Sequence, residues 1–152
     1  MGQNEVGIHL ETSLGYVLKE ASSALRAAME AELRPLGMTV THYSCLELLA
    51  QRPGLSNSEL ARGAFVTRQS MNVLLQALER DGDVTRPPQA PVGKALPTRL
   101  TPRGRRSLET ASAAVRSVED RMLRGLTADE QSSAFRALQS MTRALRAGDE
   151  GS

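Results

Sequence analysis

Cysteine, tryptophan and histidine are scarce or missing in this chain, and each shortage removes a class of chemistry. The single cysteine, Cys45, has no intramolecular disulfide partner, which points to a reducing compartment. Two histidines, His9 and His42, and that one thiol make no pair at metal-ligand spacing, so neither a metal nor a cofactor is expected. No Walker-type phosphate loop and no Gly-x-Ser-x-Gly nucleophile turn occur, and Glu47 stands five residues after His42, off its helix face. Catalysis is not expected, and no residue is assigned to it. The start MGQNEVGIHLE has no apolar signal core and no 18-residue apolar run follows, so the expectation is a cytoplasmic protein with no membrane partner. Aromatic residues make up 3% of the chain, which leaves Leu, Ala, Val and Met to build the interior and favours packed helices over stacked strands.

What is present is positive charge, placed unevenly. The net charge is only +2, yet Val84 to Leu108 holds six basic residues (Arg86, Lys94, Arg99, Arg103, Arg105, Arg106) and no acidic one. Of nineteen basic residues seventeen are arginine, whose planar fork suits phosphate and guanine, although a coding bias toward arginine gives the same count. At 152 residues the chain fits one domain with a real core.

Apolar spacing predicts a first helix from about Leu10 to Leu33, stopped by Pro35 and Gly37. A second starts near Thr39 or Thr41, either of which can cap it, and ends at Pro53-Gly54. Ser56 and Glu59 have capping-box spacing and open a short third helix, Asn57 to about Gly63. Thr67 caps a fourth whose inward stripe is Met71, Leu74, Leu75 and Leu78 and which ends at Gly82. Val84-Thr85-Arg86 and Thr98-Arg99-Leu100 read as two hairpin strands, with Pro97 marking the second as an edge. Thr101-Pro102 opens a long fifth helix and the Thr127-Glu130 box a sixth. Outward on the fourth helix lie Arg68, Gln69, Asn72, Val73 and Gln76, a face with no carboxylate before Glu79. Arginine can read guanine, Asn and Gln can read adenine, and Val73 can meet a thymine methyl, while Thr67 and Ser70 can donate to phosphate.

The order helix, helix, hairpin wing, flanked by long helices, with Ser56-Asn57-Ser58-Glu59-Leu60-Ala61, the span Thr67 to Gly82, and Leu100-Thr101-Pro102-Arg103-Gly104, resembles the MarR family of bacterial winged-helix regulators. The resemblance implies a mainly helical fold with a small β-hairpin wing, residues 39–101 forming the winged helix-turn-helix and residues 8–36 and 102–147 the dimerisation helices. It further implies a two-fold homodimer on double-stranded DNA, a pseudo-palindromic operator, and repression relieved by a small aromatic or phenolic effector. Tyr16, His42 and Tyr43 are the residues it suggests for effector contact. Wings of this family usually carry Asp-x-Arg, where this chain reads Val92-Gly93-Lys94. Lys94 keeps the charge without the planar fork, so Arg86 and Arg99 become the better phosphate contacts. The alternatives are a dimeric adaptor or ligand-binding protein of the same fold with weak DNA binding, and a monomer whose end helices fold back over the middle. Cys45 is expected to be a small core residue rather than a thiol sensor.

Overall fold

The computed structural model describes residues 7–86 and 98–148. Among the described residues there are six α-helices: α1 (Leu14–Leu33), α2 (Val40–Gln51), α3 (Asn57–Gly63), α4 (Arg68–Arg80), α5 (Pro102–Leu123) and α6 (Ala128–Ala147). Two short strands, β1 (Val84–Thr85) and β2 (Arg99–Leu100), pair antiparallel with Val84 opposite Leu100 and Thr85 opposite Arg99. The strands stop one residue short of the expectation, leaving Arg86 and Thr98 outside the ladder. Pro97 and the wing tip, Val92-Gly93-Lys94, lie outside the described residues.

Local chemistry sets the helix starts. Thr39, not Thr41, caps α2, accepting from the His42 N–H at 3.0 Å. Both expected capping boxes close: Ser56 with Glu59 on α3 and Thr127 with Glu130 on α6. α1 begins at Leu14 rather than Leu10 because Ser13 caps it through the Tyr16 N–H; a single 3-10 turn, Leu10–Thr12, precedes it.

In packing the chain divides into two units, Met1–Val118 and Glu119–Ser152. In the first, Leu33, Leu46, Leu60, Met71, Leu75 and Leu78 are fully buried and join Cys45, Val84, Leu108 and Ala111 in one core. Leu74 is half-buried at its edge. The first half of α1 does not join them: Leu14, Val17 and Leu18 are 69%, 48% and 43% exposed. The second unit holds the end of α5 and α6, where Gln131 donates to the Leu126 carbonyl at 3.2 Å and Phe135, Leu138 and Leu145 stay exposed. Thus each unit keeps large apolar side chains exposed on a helix, on the first half of α1 and on α6.

The tightest joint lies where α4 hands over to β1. Gly82, in the left-handed region at φ 81°, turns the chain, and the Asp83 N–H donates to the Leu78 carbonyl at 2.9 Å. Thr101 then fastens this corner to α5. Its hydroxyl donates to the Gly82 carbonyl at 2.5 Å, its N–H donates to the Asp83 carbonyl at 3.0 Å, and its oxygen accepts from the Gly104 N–H at 3.0 Å. A Cβ at position 104 would stand 2.1 Å from the Asp83 carbonyl oxygen, so only glycine allows this approach. Gly104→Ala is therefore expected to cost about 1–3 kcal/mol in urea denaturation. Gly125→Ala, where an added Cβ meets nothing within 4 Å, is the matched comparison and leaves the midpoint unchanged or raised.

Candidate nucleic-acid interface

With Met71, Leu75 and Leu78 turned into the core, the opposite face of α4 is solvent-exposed along its length. Arg68, Gln69, Asn72, Val73 and Gln76 are all exposed, and Val73 is 61% so despite its apolar side chain. At the helix start the Thr67 oxygen accepts from the Ser70 N–H at 3.0 Å, and its hydroxyl donates to Ser70 Oγ at 3.0 Å. The cap thereby occupies the Thr67 hydroxyl as both donor and acceptor and leaves the Ser70 O–H available to donate.

The hairpin supplies charge unequally. Arg99 on β2 is exposed. Arg86 is half-buried, and its Nε lies 3.5 Å from Glu79 Oε2, so its guanidinium is already shared with a carboxylate from the end of α4. Nothing in the spacing of positions 79 and 86 announces this pair, because it forms across the Gly82 turn. Lys94 falls outside the described residues.

One exposed residue beside this face went unremarked in the sequence. Phe65, in the turn joining α3 to α4, has φ 60° and is 86% exposed.

The residues considered for a small ligand do not gather in one place. His42 lines a cavity of about 320 Å³ with Leu36, Asp81, Asp83, Arg103, Ser107 and Thr110. Neither Tyr16, 40% exposed on α1, nor Tyr43, packed against the core, is among its lining residues. His42 Nε2 lies 3.9 Å from Asp83 Oδ2, and Arg103 Nε lies 3.7 Å from Asp83 Oδ1. Neither His42 Nε2 nor Asp83 Oδ1 makes a hydrogen bond, although both are buried. Asp83 was not anticipated from the sequence, since a lone Asp after Gly82 also reads as an ordinary turn residue.

Burial holds the His42 imidazole below its usual range, more strongly than the nearby Asp83 and Asp81 raise it. Cys45 is fully buried, and its thiol is pushed up to about 12, so it stays protonated and out of reach of oxidants. Among the described residues no cluster of His, Cys, Asp and Glu is arranged to hold a metal, and no helix is long and apolar enough to cross a membrane.

The family model that matches, described as MarR family, covers residues 36–95, from just after α1 through α4 and β1. The HTH-type transcriptional repressor Rv2887 of Mycobacterium tuberculosis is 43% identical over 136 residues, spanning 90% of this chain and 98% of that protein. A crystal structure of the M. tuberculosis MarR family protein Rv2887 in complex with DNA matches at a TM-score of 0.71 and 43% identity, over 86% of this chain and 98% of that one. Its complex with salicylic acid matches at a TM-score of 0.71 and 44% identity, over 86% and 96%.

The imidazole shift has a sign that can be checked. The fold favours neutral His42, so the unfolded chain binds the proton more readily, and stability is complete above about pH 6.5 and declines as pH falls below it. Urea midpoints taken at about pH 7.5 and about pH 5.5 should drop for the wild type and drop less for His42→Gln. Equal drops would show that other groups carry the dependence.

Proposed function

This chain belongs to the MarR family, and we propose that it is a DNA-binding transcriptional repressor that acts as a homodimer on a pseudo-palindromic operator and responds to a small aromatic effector. The observation that carries the reading is the outward face of α4, polar, exposed and without a carboxylate from Arg68 to Gln76. A helix of this kind enters the major groove with its first turns against base edges, while a hairpin beside it follows the backbone. Arg68, Gln69, Asn72, Val73 and Gln76 read bases; Ser70 donates to phosphate, while Thr67, its hydroxyl held by Ser70, keeps the helix start in place; Arg86, Lys94 and Arg99 supply the wing's charge.

Two copies are needed for both geometry and burial. Half-sites about one helical turn apart, roughly 34–36 Å, require two α4 helices in a fixed relation. The exposed apolar residues of α1 (Leu14, Val17, Leu18) in one unit, and those of α6 (Phe135, Leu138, Leu145) in the other, each offer apolar surface to a second copy. The M. tuberculosis relative was crystallised with DNA and with salicylic acid, which supports a duplex partner and a small aromatic ligand for this chain as well. For that ligand we favour the His42 cavity, where Arg103 offers a cation and Ser107 and Thr110 offer hydroxyls. Residues 39–101 are then the reading part and residues 8–36 and 102–147 the dimerising part.

Selection of bound sites from a random duplex pool tests the core of this reading, and recovery of an inverted repeat is the expected result. On the recovered site Arg68→Ala or Asn72→Ala should each cost about 1–3 kcal/mol while leaving random duplex binding nearly unchanged. Arg99→Ala should weaken all duplexes alike and reduce the slope of log affinity against log salt by about one. Arg86→Ala should do the same to a smaller extent, because Glu79 already competes for that guanidinium. Absence of any duplex binding at low salt would leave the adaptor of the same fold.

A further inference from the structure

The turn between α3 and α4 contains a residue that the fold alone does not explain. α3 closes with the Ala64 N–H donating to the Leu60 carbonyl at 2.9 Å, Phe65 N–H to Arg62 at 3.2 Å, and Val66 N–H to Ala61 at 3.0 Å. This closure places one residue in the left-handed region, where glycine or asparagine normally stands. Here it is Phe65, at φ 60°, the one described non-glycine residue with positive φ. Its ring contributes nothing to the interior, being 86% exposed, whereas its neighbour Val66 packs against the core. A bulky apolar side chain is thus held in a strained backbone and presented to water, a combination that folding disfavours twice.

Its location indicates what the ring meets. Phe65 stands two residues before Thr67, the cap of α4, at the end of the helix where Arg68 and Gln69 project. On the reading given above, which this inference requires, that end lies closest to the duplex. We propose that Phe65 is a further DNA-contacting residue, its ring lying against apolar carbon at the rim of the major groove. The duplex offers two such surfaces beside a helix N-terminus, a thymine 5-methyl group and the carbon face of a deoxyribose. Either would cover the ring only in the complex, so the contact appears as affinity and not as stability.

Phe65→Gly separates the two quantities, because glycine fits the left-handed turn and removes the ring. Its urea midpoint should equal or exceed the wild type's, while its affinity for the duplex recovered by random-pool selection falls by about tenfold. The salt slope should not change, since no charge is lost. Phe65→Leu, which keeps apolar carbon, should retain part of the affinity. Replacing thymines of the selected site by uracil one at a time distinguishes the two surfaces. If a methyl is the partner, one position weakens wild-type binding and has no effect on Phe65→Gly; if the sugar is the partner, the two proteins respond alike at every position. Wild-type affinity in Phe65→Gly, or a change in its dimerisation without a change in duplex affinity, would overturn the proposal. Failure of the wild type to bind any duplex would instead overturn the DNA-binding reading beneath it.

Discussion

The close approach of Gly104 to the Asp83 carbonyl fixes the geometry on which the proposed reading surface depends. α4 is short and cannot hold its own orientation; among the described residues the hairpin pairs two residues in each strand. Thr101 ties the end of α4 and the start of α5 together through Gly82, Asp83 and Gly104, using one hydroxyl as both donor and acceptor. The sequence Leu100-Thr101-Pro102-Arg103-Gly104 therefore has a physical meaning at each end: threonine caps α5 while gripping the corner, and glycine leaves room for a backbone oxygen. Loosening this joint would let α4 tilt relative to α5, the helix that continues out of the core.

Carboxylate placement complements that joint. Glu59 and Glu130 sit in capping boxes, where hydrogen bonds from Ser56 and Thr127 hold their carboxyls below the usual range. Glu47 accepts from Ser112 on α5 at 3.3 Å, joining α2 to that helix. Asp83 faces His42 and Arg103, and Glu79 faces Arg86. Each of these acids is engaged away from the span Arg68 to Gln76, so a small net charge coexists with a reading face free of anions. Electrostatic attraction to a duplex depends on this local arrangement more than on the total of +2.

Most helix limits were legible because their causes are local; the start of α1 was not, although Ser13 caps it through the Tyr16 N–H. Ser56-Glu59, Thr67, Gly82 and Thr127-Glu130 lie within four residues of the groups they satisfy, so spacing alone locates them. The outward side of α4 was legible for the same reason, through its 3.6-residue period. Contacts made across turns were not. The Glu79–Arg86 pair and the meeting of His42 with Asp83 join residues from different elements, and no periodicity relates them. The left-handed turn at Phe65 was hidden because the residue type argues against that conformation. Apolar spacing located α1 as a helix, yet spacing could not say what covers its exposed apolar residues.

Where a sequence agrees with its fold at every level, stability suffices as an explanation, so the disagreements carry the information about function. Among the described residues, three such disagreements bear on the proposed partners. Phe65 strains the backbone and exposes a ring. His42 Nε2 and Asp83 Oδ1 are buried without hydrogen bonds beside a cavity. Leucine and phenylalanine side chains on α1 and α6 remain in water. Each defect would be removed by a simple substitution: glycine at the turn, an apolar residue in place of Asp83, polar residues on the helix faces. Each is also of a kind that a second molecule corrects, respectively the duplex, a small polar or aromatic ligand, and another copy of the chain. Each of the three partners proposed for this protein thus answers to a place where the described residues of a solitary chain are left unsatisfied.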